Sequence, residues 1–230
     1  MWQIITSGRL PPAQIMAKDQ ALLTRYESGL VSPQLHLYEW EGECLTHGYF
    51  THPGNHLNLE AVEALNLQVA RRPTGGGILF HLTDLAFSVL IPAGHPGYST
   101  NTLDNYAYIN GKVARVIAAF TASRSLPELF QTTQCTACSS FCMANPTQYD
   151  LIVEGRKVGG AAQRRTKWGY LHQGSLSLAP PPAELLRQVL KDQTVVAAMQ
   201  TNSYYLLKEG SLEEARQQLK ELLIQEFVHG

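Results

Sequence analysis

Three consecutive glycines, Gly75-Gly76-Gly77, interrupt residues 71–81, which read RRPTGGGILFH. A glycine run costs backbone entropy. It therefore marks a place where the chain needs positive φ or where something must approach the backbone closely. The run is not a GxxxxGK[ST] phosphate loop, because no Lys-Ser or Lys-Thr pair follows it, and it is not GxGxxG. Arg71 and Arg72 stand at its edge, and a guanidinium fork suits a phosphate or a carboxylate. The apolar residues behind it would wall a narrow pocket. These residues fit a ligand with an acidic head and an apolar tail. An ordinary glycine-rich turn with solvated arginines fits them as well.

The rest of the chain sorts into helices near the ends and strands in the middle. PPAQIMAKDQALLTRYESG opens on prolines, carries Ile15, Met16, Leu22, Leu23 and Tyr26 at helical spacing, and stops at Gly29. Residues 103–120 place Leu103, Tyr106, Ile109, Val113, Val116, Ile117 and Phe120 on one helical face. The tail SLEEARQQLKELLIQEFV begins with Ser211 and Glu214, a capping-box pattern, and continues as an amphipathic helix. LHLYEW and parts of ILFHLTDLAFSVLIP alternate as strands do. YDLIVEGRKVGG reads as a hairpin turning at Glu154-Gly155, and YLHQGSLSL as a further strand. The prolines at 180–182 end that run and lead into a helix from Glu184 to Leu190. Without regular βαβ alternation, the expected class is α+β: one domain over residues 1–230, with a central, mostly antiparallel sheet flanked by helices. Residues 123–145 read as a long loop, and loops of that length in compact domains are often functional.

Length and charge narrow the function. The chain has 230 residues, 44% hydrophobic, with a formal net charge of −1, which suits one well-cored domain and argues against nucleic-acid or polybasic membrane partners. The longest apolar runs fall short of a membrane span, and the N-terminus lacks the pattern of a secretory signal. A cytoplasmic location is expected. Cys44 is isolated, whereas Cys135, Cys138 and Cys142 cluster. In a reducing compartment such a cluster is metal-binding, catalytic or plain rather than disulfide-bonded.

Residues 142–176, CMANPTQYDLIVEGRKVGGAAQRRTKWGYLHQGSL, taken together with RRPTGGGILFH, strongly resemble the catalytic domain of the lipoate–protein ligase and octanoyltransferase family, relatives of biotin–protein ligase. MAKDQALL and LYEWEGECLTHGYF resemble the first helix and a strand region of the same family. The resemblance implies an enzyme that attaches a lipoyl or octanoyl group to a specific lysine of a carrier domain. It assigns Arg72 to the acyl head group or acyl-adenylate, Gly75, Gly76 and Gly77 to the turn over which acyl chain and phosphate pass, and His81 to a place near the chain. It makes Lys157 the family lysine, a cation suited to stabilise charge developing at the acyl carbonyl. Gly159, Gly160 and Ala161 become the close wall of the site, Arg164 a ligand contact, and Gly174-Ser175 a conserved turn. Asp19 matches an acidic position facing the site. His172-Gln173 departs from the usual pair before that turn. His36, His47, His52, His56, His95 and His229 show no ligand spacing.

Two chemistries fit this scaffold. A ligase activates free lipoate with ATP and Mg²⁺ as lipoyl-adenylate. An octanoyltransferase takes octanoate already activated on acyl carrier protein and passes it through its own cysteine. Cys142, in CMANPTQYD, resembles the transferase nucleophile, and a nearby Lys157 would favour its thiolate. A single catalytic domain without the C-terminal accessory domain of long ligases is expected, which favours the transferase. RRPTGGG, with its third glycine, is the commoner ligase form. The expectation is a ligase, with the octanoyltransferase as alternative. Either would use lipoyl domains of 2-oxoacid dehydrogenase complexes or the glycine-cleavage H protein as acceptor, with acyl carrier protein as a further partner for the transferase. Neither calls for a tightly bound prosthetic group or a metal site. Three cysteines within eight residues also allow zinc or an iron–sulfur corner, but no fourth ligand stands nearby.

Overall fold

The computed structural model describes residues 1–230 apart from 124, 131–140, 142–146 and 149. In chain order the elements are β1 (Gln3–Leu10), α1 (Pro12–Thr24), β2 (Gln34–Trp40), β3 (Cys44–His47), α2 (Leu59–Ala64), β4 (Gln68–Arg71), β5 (Ile78–His81), β6 (Asp84–Pro92), α3 (Thr102–Phe120), β7 (Glu128–Leu129), β8 (Leu151–Val153), β9 (Arg156–Arg165), β10 (Gly169–Ser177), α4 (Ala183–Val189), α5 (Thr194–Asn202) and α6 (Leu212–His229).

The strands make two sheets among the described residues. The larger runs β1-β2-β6-β10-β9-β8-β7, and the smaller β4-β3-β5. In the larger sheet β1 and β2 are parallel and the other neighbours antiparallel, as expected for the α+β class. The hairpin turns where the sequence places it. Glu154 and Gly155 both have positive φ, 52° and 72°, the geometry of a tight two-residue turn.

Alternation along β6 and β10 decides which layer each side chain joins. Leu85, Phe87, Val89 and Ile91 face α3 and α6, packing on Ile109, Val113, Ile117, Leu219, Leu223 and Phe227. The opposite face takes α1, through Met16 against Ala86 and Leu22 against Leu90. A separate apolar cluster joins the small sheet to α2, α4 and α5 through Leu45, Ile78, Leu186, Val189 and Val196. α1 ends in a 3₁₀ turn, Arg25–Ser28, closed by Gly29 at φ 89°. Ser211 caps α6 by accepting a hydrogen bond from the Glu213 amide, 3.2 Å. No helix among the described residues is long and apolar enough to cross a membrane.

Two features depart from expectation. The N-terminal residues form β1, a parallel edge strand whose register slips between Thr6 and Arg9, with Gly8 at φ 63°, so no clean alternation advertises it. Within the expected loop at 123–145, Glu128–Leu129 pair with β8 and Phe141 bridges Ile78; the rest of 131–145 lies outside the described residues.

Candidate functional site

A row of small residues crosses the middle of the large sheet. Ser175 on β10 stands between Ala86 on β6 and Gly160 on β9. Leu37 pairs with Phe87, so the next residue of β2, Tyr38, stands beside Ala86 at one end of the row. Short side chains between taller neighbours leave a trough running across the strands. Met16 of α1, Leu79 of β5 and the glycine turn cover it, enclosing a cavity of about 370 Å³.

The glycine turn is held by its own carbonyls. Arg72, 5% exposed, donates to Thr46 Oγ1 (2.8 Å), Gly75 O (3.1 Å) and Gly77 O (2.8 Å). Thr51 Oγ1 donates to Gly76 O (2.8 Å), and the Gly48 amide to Gly77 O (3.2 Å). Gly76 sits at φ 86°, where a side chain would be strained. The Gly48 backbone lies so close beneath the turn that a Cβ there would run into Gly76 O. Arg72 lines the cavity, yet two of its donated bonds buckle the turn and the third ties it to Thr46, so none reaches across the opening. Arg71 points outward and covers the exposed Tyr49 ring, 4.6 Å from its centroid.

At the β9 end the floor is closed by a charge pair. Lys157, 2% exposed, donates to Asp150 Oδ2 at 2.6 Å. The same oxygen accepts from the Thr147 amide (2.6 Å) and hydroxyl (2.8 Å). The lysine folds back over its own strand: a Cβ on Gly160 would lie 2.8 Å from Lys157 Cε and 2.9 Å from Nζ. A register shift in β8–β9, between Leu151 and Ile152, allows this by bringing residues 157 and 160 to one face. Gly160 and Ala161 line the cavity. Gly159 does not. Its missing side chain makes room for Leu176 and Leu151 in the core, because strand alternation turns it to the other face. Gly174 borders the cavity through its backbone while the Phe87 ring fills its side-chain position. Arg164 also departs from expectation. It is exposed at the rim, donating to Gln20 Oε1 (2.7 Å) and stacking near Tyr49, because the end of β9 runs past the covered part of the trough.

Two buried hydrogen-bond chains support the walls. In the first, His81 donates through Nδ1 to Asp84 Oδ2 (2.7 Å) and accepts at Nε2 from Thr46 (2.8 Å), whose oxygen receives Arg72. Ser175 donates to the same Asp84 oxygen (2.7 Å). His81 and Ser175 thus line the cavity while their polar ends are spent behind it. In the second, Thr74 donates to Gln173 Oε1 (2.7 Å), and Gln173 Nε2 donates to Asp19 Oδ2 (2.6 Å). Asp19 also receives Ser88 (2.6 Å) and His36 Nδ1 (2.7 Å), and His36 Nε2 accepts from Ser7 (2.7 Å). Asp19 is fully buried and does not border the cavity; it meets the site through Gln173. Burial, reinforced by the Asp19 charge, holds the Tyr38 phenol well above its ordinary pKa. His172 faces α3, stacked on Phe87, and burial lowers its pKa to about 3.

Sequence reasoning missed Asp150, Thr46, Asp84, Gln173 and the His36–Asp19 contact. Asp150 had a usable signal, an acid seven residues before the lysine across a hairpin. The others meet through pairings of distant strands. Cys142, with Cys135 and Cys138, lies outside the described residues; Phe141, just before Cys142 in sequence, lines the cavity. Cys44 is buried, and its burial pushes the thiol pKa up, away from reactivity.

Comparison with known proteins agrees with this fold. The family model of the lipoyl protein ligase A/B catalytic domain matches residues 11–228. Octanoyltransferase LipM of Halalkalibacterium halodurans is 34% identical over 183 residues, covering 77% of this chain and 66% of the relative. Octanoyltransferase LipM of Bacillus subtilis is 32% identical over 236 residues, covering 96% and 84%. A crystal structure of lipoate-protein ligase A bound with ATP superposes with TM-score 0.71 at 19% identity, over 98% of this chain and 85% of that one. A bi-partite lipoate protein ligase from Thermoplasma acidophilum gives 0.71 at 20% identity, over 99% and 84%. At such identities these structural likenesses bear on the fold alone.

Proposed function

The chain belongs to the lipoyl protein ligase A/B catalytic domain family, and we propose that it works there as an octanoyltransferase, moving an activated octanoyl group to a lysine of a lipoyl domain without ATP. The observation that carries the reading is the trough: a covered apolar channel whose one end is a buried ammonium held by a carboxylate. The shape suits a straight acyl chain with its carbonyl at Lys157. The names of the relatives favour the transferase over the ligase expected from the glycine turn. The ligase reading keeps one support, Gly77, the third glycine of that turn.

The chemistry follows from the residues. The Cys142 thiolate attacks the carbonyl of an octanoyl thioester on acyl carrier protein. A C–S bond to the enzyme forms, the donor's C–S bond breaks, and the carrier sulfur leaves as a thiolate. The neutral ε-amine of the lipoyl-domain lysine then attacks the acyl-enzyme, forming the amide, releasing the Cys142 thiolate and giving up one amine proton, which through solvent protonates the carrier thiolate. Each attack puts negative charge on the acyl oxygen. Lys157 is placed to meet that charge, and Asp150 holds the ammonium in position without needing to move. Arg72 keeps the glycine turn close over the chain. Exposed Tyr49 and Phe50 with Arg71 and Arg164 form a basic aromatic rim suited to an incoming carrier domain. The acceptor is a lipoyl domain of a 2-oxoacid dehydrogenase complex or the glycine-cleavage H protein.

Intact mass of a recombinant lipoyl domain tests the proposal. One reaction holds octanoyl-acyl carrier protein without ATP; the other holds lipoate, ATP and Mg²⁺. An octanoyl gain in the first, with an octanoyl adduct on the enzyme that Cys142→Ser abolishes, is the expected result. A gain only in the second makes the protein a ligase.

A further inference from the structure

A carboxylate, an imidazole and a hydroxyl stand in a row that the acyl chemistry does not use. Asp19 sits on α1 and His36 on β2, both fully enclosed. His36 Nδ1 meets Asp19 Oδ1 at 2.7 Å, and His36 Nε2 meets Ser7 Oγ of β1 at 2.7 Å. What each group can donate fixes the protons. The Lys18 ammonium, 2.6 Å from Ser7 Oγ, can only donate to it. An ionised Asp19 can only accept, and it receives Ser88 and Gln173 as well as His36. A neutral imidazole between them carries its proton on Nδ1 and offers Nε2 to the Ser7 hydroxyl. Serine, histidine and aspartate in that order, with the ring oriented by the carboxylate, make a serine a nucleophile.

The row opens toward solvent at its serine end. β1 is an edge strand, and its register on β2 slips between Thr6 and Arg9. Bulges of this kind re-aim side chains. Ser7 is half-buried, and the space where a Gly8 side chain would stand is empty. Lys18, half-buried on α1, holds a cation beside the hydroxyl, where it can stabilise the oxyanion of an acyl carbonyl bonded to Oγ. Ser7 borders neither the trough nor the second cavity, of about 230 Å³, that lies beyond Trp40. Short acyl groups on good leaving groups, rather than long chains, are therefore its class of substrate.

We propose that Ser7 is a second reactive centre of this chain: a nucleophilic serine, activated by His36 and oriented through Asp19, that takes acyl groups from small activated esters and hydrolyses them. The inference is independent of which reaction the trough performs. Ser7 Oγ attacks the ester carbonyl, and its proton passes to His36 Nε2 as the new C–O bond forms. The ester C–O bond breaks, and the alcohol leaves with that proton. Water then attacks the acyl-serine and gives a proton to His36 Nε2. The acid departs as Ser7 Oγ regains that proton.

Diisopropyl fluorophosphate, which forms a serine O–P bond as fluoride leaves, tests this on the full chain by intact mass and peptide mapping. Folded wild type should gain one diisopropylphosphoryl group, on Ser7, and the chain unfolded in urea should gain none. Ser7→Ala should stay unlabelled. Asp19→Asn should label at least about a hundredfold more slowly, within the roughly 10⁴-fold that an orienting carboxylate can supply. In Cys142→Ala, which removes the thiol assigned to the trough, p-nitrophenyl acetate hydrolysis should persist and be lost on adding Ser7→Ala. No adduct on folded wild type overturns the proposal, and that result needs no variant to fold. An adduct on another serine, or equal labelling of folded and unfolded chain, overturns it too. A protein that labels at Ser7 yet acylates no lipoyl domain keeps this centre and loses the transferase reading instead.

Discussion

The two ends of the trough are built on opposite principles. At the β9 end, space is made by leaving side chains out: Gly160 has no Cβ because Lys157 lies where one would go, and the lysine is fixed by a carboxylate. At the β2 end, space is ended by filling it with the rings of Tyr38, Trp40 and His81. One end carries buried charge, and the other carries aromatic bulk. A charge pair tolerates almost no displacement, because its interaction falls steeply as a low-dielectric site opens. A wall of rings can be exchanged for another of similar volume at modest cost. The polar end should therefore be the less tolerant of substitution.

Lys157→Ala makes the largest break in this contrast. Losing the buried cation should cut acyl transfer by about 10²–10³-fold, the scale of removing one oxyanion-stabilising donor. Near-normal turnover in a folded variant would remove Lys157 from the chemistry. Gly160→Ala comes next. The added methyl must push the ammonium aside, and a shift of about 1 Å in a catalytic group costs about a hundredfold. Its neighbour is the control. Gly159→Ala meets Leu176 at 2.8 Å in the core, so it should lower stability by about 1–3 kcal/mol while the folded protein keeps its rate. Denaturant midpoints and single-turnover rates separate the two, and a shared phenotype would show that the faces are not independent. Arg72→Lys should cost about 1–3 kcal/mol, because an ammonium cannot span Thr46, Gly75 and Gly77 at once. Equal urea midpoints for variant and wild type would mean the turn holds without the fork.

A pH dependence lies away from both ends. His172 is buried neutral with a pKa of about 3, whereas an unfolded imidazole protonates near 6.5. Between these values the unfolded chain binds the extra proton. The stability that this neutrality contributes is complete above about pH 6.5 and falls as the pH drops toward 3, by up to about 1.4 kcal/mol per pH unit. In His172→Gln the urea midpoint should decline less steeply over pH 4–6.5. Parallel curves would mean that the imidazole is protonated in the folded state as well.

Much of the scaffold was legible from local pattern. The helices at 12–24, 102–120 and 212–229 and the strands at 34–40, 78–92 and 151–177 follow from periodicity and turn residues, since both are local properties of the chain. β1 was not legible, because a slipped parallel edge strand shows no clean period. The glycine turn, Lys157 and Gly160 stand out in the sequence because one short motif carries each, and all of them border one cavity. Arg72 was read as reaching for a ligand, but its guanidinium meets the carbonyls of the turn it precedes. Gly159 was read as pocket wall, but a register shift in β8–β9 assigns 157 and 160 to one face and leaves 159 on the other.

By itself, then, the amino-acid order determined most of the long elements and the family, because helical period, hairpin turns and motif spacing act over a few residues. The tertiary structure alone decided that Gln173 links Thr74 to Asp19 and His36, and that Trp40 closes the trough against a second cavity. Those contacts join residues up to 154 positions apart. They depend on strand order and register, which local spacing does not encode, since a shift of one residue would turn each of these side chains to the other face of the sheet.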